Sequence, residues 1–209
     1  RRGLEGIFLA ATFQKEQRQN LSSPVRETRA QALAACKSCL DAAIQSGAKG
    51  VLITSGAYPD QPGQEKEAWR ALEESLHSLI GYAKGRIRLL LEPGDRAVDS
   101  RQLAGPTDQV LALMRRMGEP LSAFGLTMDV SHLAQLGEAA AEALKKSAPY
   151  CDHVHLANCV LTAGDPLYGD KHPRFAHPGA FYDSRQLRAV ADDLKRNSPH
   201  EALTLAVEV

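Results

Sequence analysis

Short apolar runs alternate with longer amphipathic stretches along the 209-residue chain. This alternation is typical of βα units arranged around a parallel sheet. The pattern predicts six strands, at residues 6–13, 50–54, 86–92, 124–129, 152–156 and 203–209. It also predicts five helices between them, at residues 25–46, 64–83, 107–117, 133–148 and 184–196.

The number of these units is informative about the fold. Two further βα units of roughly 30 residues each would bring the chain to about 270 residues, close to the usual (β/α)8 size of about 250. We therefore expect an α/β chain with the (β/α)8 TIM-barrel fold, a single domain over residues 1–209 that is incomplete and lacks the first and last units. A doubly wound sheet is the alternative, but no Gly-rich GxGxxG loop follows the first strand.

Composition bears on the partners of the protein. The 25 Lys and Arg residues balance the 25 Asp and Glu residues, so no strong field favours nucleic acid or acidic lipid. No apolar run approaches the roughly 18 residues of a membrane span. Four cysteines in the whole chain do not make a disulfide-dense secreted scaffold. We expect a cytoplasmic protein without nucleic-acid or membrane partners, and a homo-oligomer is left open.

Four successive predicted strands end in a side chain that can bind a metal ion. These side chains are Glu92, Asp129, His155 and Glu208. In a parallel barrel the active site lies at the C-terminal ends of the strands. A lone strand-end carboxylate is more often a cap or a salt-bridge partner, but an ionised group buried there costs several kcal/mol unless it is paired or metal-bound. Four at equivalent positions predict a shared metal site.

The predicted ligands suit a divalent cation that accepts both oxygen and imidazole, namely Mn²⁺, Co²⁺, Mg²⁺ or Zn²⁺. Further candidates lie close by in the sequence. His132 follows Asp129 by three residues, and Asp170 and His172 lie in the long loop at 157–182. His153 precedes His155 by two residues, so it faces the same side of the strand and is expected to support that ligand.

Five sequence motifs contain the candidate site residues. They are LLLEP at 89–93, GLTMDVSH at 125–132, DHVHLAN at 152–158, GDKHPRFAHPG at 169–179 and LAVEV at 205–209. With them the sequence resembles the xylose isomerase-like TIM barrels, which include sugar isomerases and epimerases, hydroxypyruvate isomerase, inosose dehydratase and endonuclease IV. The resemblance extends from residue 6 to residue 208 by the order of elements.

The resemblance implies a metal-dependent sugar isomerase or epimerase. Its metal ligands would be Glu92, Asp129, His155 and Glu208. Glu92 and Glu208 would also act as the acid and base pair, while the cation polarises a carbonyl and hydroxyl pair and lowers the cost of an enediolate. Substrate contacts would come from His132, Lys171, His172 and Arg174. Asp170 and His172 could hold a second metal ion.

The sequence departs from the family pattern in two places, and each departure restricts the predicted function. Endonuclease IV has further His ligands after its second and third strands, and residues 11–14 and 54–57 contain no His, which disfavours DNA repair. Ketose 3-epimerases carry an Arg shortly after the strand His, and residues 158–162 contain none, which argues against free ketohexoses as substrates. An inosose-type dehydratase and a non-catalytic sugar-binding barrel remain the alternatives.

Overall fold

The computed structural model describes residues 6–200 and 203–209, and its strands are parallel. The strands are β1 (Ile7–Leu9), β2 (Gly50–Ile53), β3 (Arg88–Leu91), β4 (Phe124–Asp129), β5 (Cys151–Leu156) and β6 (Thr204–Val207). They follow one another in the sheet in chain order. Six parallel strands in this order, with helices between them, confirm the predicted fold class, which in its closed form has eight strands.

Seven helices lie between the strands of the described residues. They are α1 (Ala10–Glu16), α2 (Arg26–Ser46), α3 (Glu65–Ala83), α4 (Thr107–Met117), α5 (Val130–Gln135), α6 (Ala140–Ser147) and α7 (Ser184–Asn197). The predicted helices at 25–46, 64–83, 107–117 and 184–196 are confirmed to within one residue at each end. None of the helices in this described part combines the length and apolar character that a membrane crossing requires.

The predicted strand at 6–13 is wrong in its second half. β1 ends at Leu9, and α1 begins at Ala10. An apolar run of this length does not by itself distinguish a buried strand from a buried helix turn. Here the helix is stabilised by Gln14, whose buried side chain donates to the carbonyl of Thr54 at 3.2 Å and accepts from its N–H at 2.9 Å.

The predicted helix at 133–148 is also wrong, because two helices occupy this part of the chain. α5 begins earlier, at Val130, since the Asp129 carboxylate accepts a hydrogen bond from Ser131 N–H at 2.6 Å and caps the helix. Gly137 then adopts a left-handed conformation with φ of 72°, which ends this helical segment before α6 starts at Ala140.

The chain divides into two compact units. The first comprises Arg1–Glu92, Gln102–Ala104 and Ala112–Gly125. The second comprises Pro93–Arg101, Gly105–Leu111 and Leu126–Val209. The expectation of a single domain over residues 1–209 stays a prediction.

Candidate metal centre

Three of the predicted metal ligands lie at strand ends in the second unit. Asp129 is the last residue of β4, His155 is the penultimate residue of β5, and Glu208 directly follows β6. The parallel register pairs Asp129 with His155 and His155 with Ala206. Asp129 and His155 are only 2% exposed, whereas the Glu208 side chain is 27% exposed. The register therefore brings two buried candidate ligands and one partly exposed carboxylate to the same edge of the sheet.

The side chains of these residues converge. Nδ1 of His155 lies 3.2 Å from Oε1 of Glu208 and 3.9 Å from Oδ2 of Asp129. His172 joins them from the long loop, with its Nδ1 3.1 Å from Oε2 of Glu208 and its Nε2 3.8 Å from Oδ2 of Asp129. One ligand atom each from Asp129, His172 and Glu208 lies within 4.8 Å of the others. Such spacing is compatible with a shared cation.

The loop that carries His172 is held by carboxylates. Oδ1 of Asp170 lies 2.8 Å from Nε2 of His172, and the backbone N–H of Asp170 donates to Oδ2 of Asp99 at 2.9 Å. Gly169 has φ of 89°, and a Cβ atom there would lie 2.8 Å from Oδ2 of Asp99. The close approach between this loop and Asp99 therefore requires glycine.

The electrostatics of this cluster, formed by Asp129, Asp170, His172 and Glu208, are strongly coupled. Burial alone would lower the pKa of His172, but its hydrogen bonds to Asp170 and Glu208 and the charge of Asp129 outweigh burial and raise the pKa to about 10. Burial alone would raise the pKa of Glu208, but the hydrogen bond from His172 reverses this and lowers it. Three carboxylates thus lie around His172, and their negative charge favours the binding of a cation.

A divalent cation fits the donor atoms. Oδ1 of Asp129 accepts from Ser131, whereas Oδ2 is buried and has no hydrogen-bond partner among the described residues. A buried carboxylate oxygen left without a partner is costly, and a metal ion would satisfy it. Carboxylate oxygens and imidazole nitrogens are ligands for Mn²⁺, Co²⁺, Mg²⁺ and Zn²⁺.

A buried cysteine lies near the cluster. Cys159 is fully buried, and burial, with smaller contributions from the charges of Asp129 and Asp170, raises its pKa to about 12. In the metal-free protein Cys159 is therefore a neutral thiol and adds no charge to the cluster.

The predicted substrate-contacting residues lie at different depths. His132 is buried in α5, its Nδ1 is 3.3 Å from Oε1 of Gln135, and its ring centroid is 6.3 Å from that of His172. Lys171 and Arg174 are exposed, and Nζ of Lys171 lies 3.9 Å from Oδ2 of Asp99. The substrate roles of these side chains stay predictions.

Glu92 belongs to the first unit. It directly follows β3, is 8% exposed, and donates from its backbone N–H to the carbonyl of Ile53 at 2.9 Å. Its position at a strand end is as predicted. Its role as a metal ligand stays a prediction.

Sequence reasoning missed three residues that support the cluster: Asp99, Ser131 and Thr204. Ser131 could have been found, because an Asp followed two residues later by Ser often forms an Asx turn. The role of Thr204 could not have been found from the sequence, because its pairing with His153 depends on the register of β5 and β6. Nothing in the sequence marks Asp99, because its contact with Asp170 joins two loops far apart in the chain.

Comparison with known families supports the fold. Residues 1–195 match the family model described as xylose isomerase-like TIM barrel. No curated protein sequence matches the chain significantly.

Solved structures with the same fold include two epimerases and an epimerase-like protein. The 3-keto-D-glucoside 4-epimerase YcjR from E. coli has a TM-score of 0.65 at 16% identity, over 90% of this chain and 67% of that chain. A D-tagatose 3-epimerase-like protein has a TM-score of 0.73 at 14% identity, over 97% of this chain and 80% of that chain. A D-psicose 3-epimerase solved with D-fructose has a TM-score of 0.68 at 15% identity, over 92% of this chain but only 61% of that chain. At these identities the similarity concerns the fold.

Proposed function

The chain belongs to the xylose isomerase-like TIM barrel family, and on that basis we propose that it is a divalent-metal-dependent isomerase or epimerase of a sugar or sugar derivative. The observation that carries the proposal is the convergence of Asp129, His155 and Glu208, in which Nδ1 of His155 lies 3.9 Å from Oδ2 of Asp129 and 3.2 Å from Oε1 of Glu208. Two of the three structural neighbours are sugar epimerases and the third is a sugar epimerase-like protein, which supports a sugar as the substrate class.

The proposed metal ligands are Asp129, His155, Glu208 and Glu92. The first three are supported by the distances among their side chains. Glu92 is supported by its position directly after β3. A cation bound by these residues would polarise the carbonyl and hydroxyl oxygens of a substrate. Asp170 and His172 are proposed to bind either a second cation or the substrate.

Glu208 has the properties that a proton acceptor needs. Its side chain is 27% exposed, so a substrate can reach it. The hydrogen bond from His172 holds the pKa of Glu208 below its usual range, which keeps the carboxylate ionised at neutral pH. Glu208 would remove the proton from the carbon next to the carbonyl, and Glu92 would return a proton from the other side. Because the two glutamates are separate groups, the configuration at that carbon can be inverted.

Substrate oxygens would be bound by His132, Lys171, His172 and Arg174. Lys171 and Arg174 are exposed and positively charged, so they suit a phosphate or a hydroxyl-rich ligand. His132 is buried beside the cluster and would contact an inner oxygen of the sugar. The partner would be a small molecule, in line with the balanced charge of the chain.

The proposal is tested by metal content and by proton exchange. The protein is purified without chelator for elemental analysis, then incubated with ketoses, their phosphates and inososes in D2O with Mn²⁺ or Co²⁺. We expect near-stoichiometric metal and solvent deuterium on the carbon beside the carbonyl. Glu208→Gln should slow the exchange about 10²–10⁴-fold. Glu142→Gln, which neutralises an exposed carboxylate on α6, is the matched control.

Two outcomes would contradict the proposal. A metal-free protein that fails to take up added Mn²⁺, Co²⁺ or Zn²⁺ would rule out the metal site. A protein that binds both metal and sugar without exchanging any proton would favour the non-catalytic sugar-binding barrel.

A further inference from the structure

A series of hydrogen bonds connects three side chains, from Thr204 at the N-terminal end of β6 to His155 at the candidate metal centre. Oγ1 of Thr204 lies 2.7 Å from Nδ1 of His153, and Nε2 of His153 lies 3.1 Å from Nε2 of His155. His155 in turn faces Glu208 through its Nδ1, at 3.2 Å. All of these residues belong to the second unit.

The strand geometry produces this alignment. His153 and His155 are two residues apart on β5, so their side chains point to the same face. Thr204 on β6 is the register partner of His153. The two imidazole rings meet edge to face, at an interplanar angle of 88° with centroids 4.9 Å apart. His153 and His155 are 7% and 2% exposed, so little water competes for their ring nitrogens.

The direction of each hydrogen bond can be assigned from the threonine end. Oγ1 of Thr204 donates its single hydrogen to the carbonyl of Asp152 at 3.1 Å. Towards His153 the same oxygen can therefore only accept, which places a hydrogen on Nδ1 of His153. A neutral imidazole protonated at one nitrogen accepts at the other, so Nε2 of His153 is an acceptor.

The assignment continues to His155. When both imidazoles are neutral, as metal binding to His155 requires, Nε2 of His155 donates to this acceptor at 3.1 Å and its Nδ1 carries the lone pair. This is the nitrogen that faces Asp129 and Glu208. A metal-ligating histidine requires such an arrangement, because an acceptor for its second nitrogen fixes the tautomer and the orientation of the ring.

We propose that Thr204 and His153 are positioning residues that fix the tautomer of His155 and direct its Nδ1 lone pair to the metal ion. This inference rests on the proposed function, since it assigns how one ligand of that site is prepared. The unusual feature is that the acceptor is a second histidine, whose own tautomer is set by a threonine on the neighbouring strand.

The test replaces the threonine hydroxyl. Thr204→Val keeps the β-branched shape on β6 but cannot accept from His153, whereas Thr204→Ser keeps the hydroxyl. Long-range ¹H–¹⁵N spectra of the Zn²⁺-loaded proteins report which ring nitrogens of His153 and His155 carry a hydrogen. We expect the Nδ1–H form of His153 in the wild type and in Thr204→Ser, and a mixed or reversed form in Thr204→Val.

Metal affinity supplies the second readout. Thr204→Val should weaken Mn²⁺ and Zn²⁺ binding about 10–100-fold, which is the usual effect of removing a partner behind a metal-binding histidine. Thr204→Ser should bind like the wild type. Thr162→Val is the matched control, because Thr162 is an exposed threonine of the second unit whose recorded hydrogen bond uses its backbone carbonyl.

The outcomes separate this inference from the proposed function. A wild-type protein that binds no metal contradicts the proposed function itself. If the wild type binds metal, and Thr204→Val binds it with the same affinity and keeps the same tautomer of His153, the inference is overturned but the proposed function is not. The inference is also overturned if Thr204→Ser loses as much metal affinity as Thr204→Val. If Thr204→Val does not fold, the wild-type spectrum decides, since a hydrogen on Nε2 of His153 would overturn the assignment.

Discussion

His172 donates a hydrogen bond from its Nδ1 to Oε2 of Glu208 at 3.1 Å, while its Nε2 lies 2.8 Å from Oδ1 of Asp170. One imidazole therefore connects a carboxylate at the end of the sheet with a carboxylate in the long loop. Together with the charge of Asp129, these contacts raise the pKa of His172 to about 10 despite burial. His172 is therefore positively charged at neutral pH and partly compensates the acidic cluster.

The first prediction follows from this role of His172. Its folded-state pKa of about 10 is well above the unfolded value of ~6.5, so its stabilising effect is complete below pH ~6.5 and is lost as the pH rises towards 10. In chelator, His172→Gln should lower the free energy of unfolding by roughly 1–3 kcal/mol at pH 6. The loss should shrink at pH 10, as measured by urea unfolding. The groups that face the His172 ring are the carboxylates of Asp129, Asp170 and Glu208 and the imidazole of His132, whose ring centroid is 6.3 Å away.

The control for this measurement is His77→Gln. His77 lies on α3, its side chain is 54% exposed, and its Nδ1 is 3.6 Å from Oε1 of Glu119. Its substitution should have little effect at either pH. A His172→Gln protein with the same loss of stability at pH 6 and pH 10 would contradict the charged state of His172.

The second prediction concerns the effect of a cation on stability. A ligand that binds only the folded protein at 100 times its Kd adds about 2.7 kcal/mol, which for a chain of this size raises Tm by about 5–10 °C. Added Mn²⁺ should produce such a shift in differential scanning calorimetry, and EDTA should reverse it. Asp129→Asn should abolish the shift, because it removes the charge at the buried Oδ2 yet can still cap α5. An unchanged shift in Asp129→Asn would exclude Asp129 as a ligand.

The third prediction concerns Asp95, a buried carboxylate outside the cluster. It accepts from the backbone N–H groups of Val98, Asp99 and Ser100 and from the Ser100 hydroxyl, at 2.5–3.0 Å. Burial alone would raise the pKa of Asp95, but these hydrogen bonds lower it. Its stabilising effect is therefore present above the unfolded pKa of ~3.9 and is lost as the pH falls through the lower folded value.

Asp95→Ala should accordingly lower the free energy of unfolding by roughly 1–3 kcal/mol at pH 7. Measured by urea unfolding, its difference from the wild type should narrow below pH ~3.9. An exposed carboxylate such as Glu142 on α6 provides the control substitution, Glu142→Ala. A difference that stays constant down to pH 2 would contradict the role of the ionised carboxylate.

Much of the fold could be predicted because burial imposes a period on each element. The strand at 124–129 and the helix at 107–117 were predicted residue for residue. The predictions failed where tertiary contacts or a single backbone angle determine the secondary structure. Gln14 stabilises a short helix through Thr54, and the positive φ of Gly137 separates α5 from α6.

The candidate site also contains residues that the sequence predicts and residues that only the structure reveals. Asp129, His155 and Glu208 stand out in the sequence because each is a polar residue at or next to the C-terminal end of a predicted strand. Their convergence with His172 is seen only in the structure, since it depends on the path of the long loop. The residues that hold this loop, Asp99 above all, carry no sequence signal, because a loop has no period.

The fourth prediction tests how Asp99 holds the loop. Because Asp99 accepts from the Asp170 N–H at 2.9 Å, Asp99→Ala should speed hydrogen exchange of that amide roughly 10- to 100-fold. Asp99→Asn keeps an acceptor oxygen and should restore most of the protection. Asp165→Ala is the matched control in the same loop, because Asp165 accepts from Leu167 N–H at 2.8 Å and its loss should expose that amide instead. If the Asp170 amide exchanges equally fast in the wild type and in Asp99→Ala, Asp99 does not hold the loop. The position of His172 would then depend on its contacts with Asp170 and Glu208.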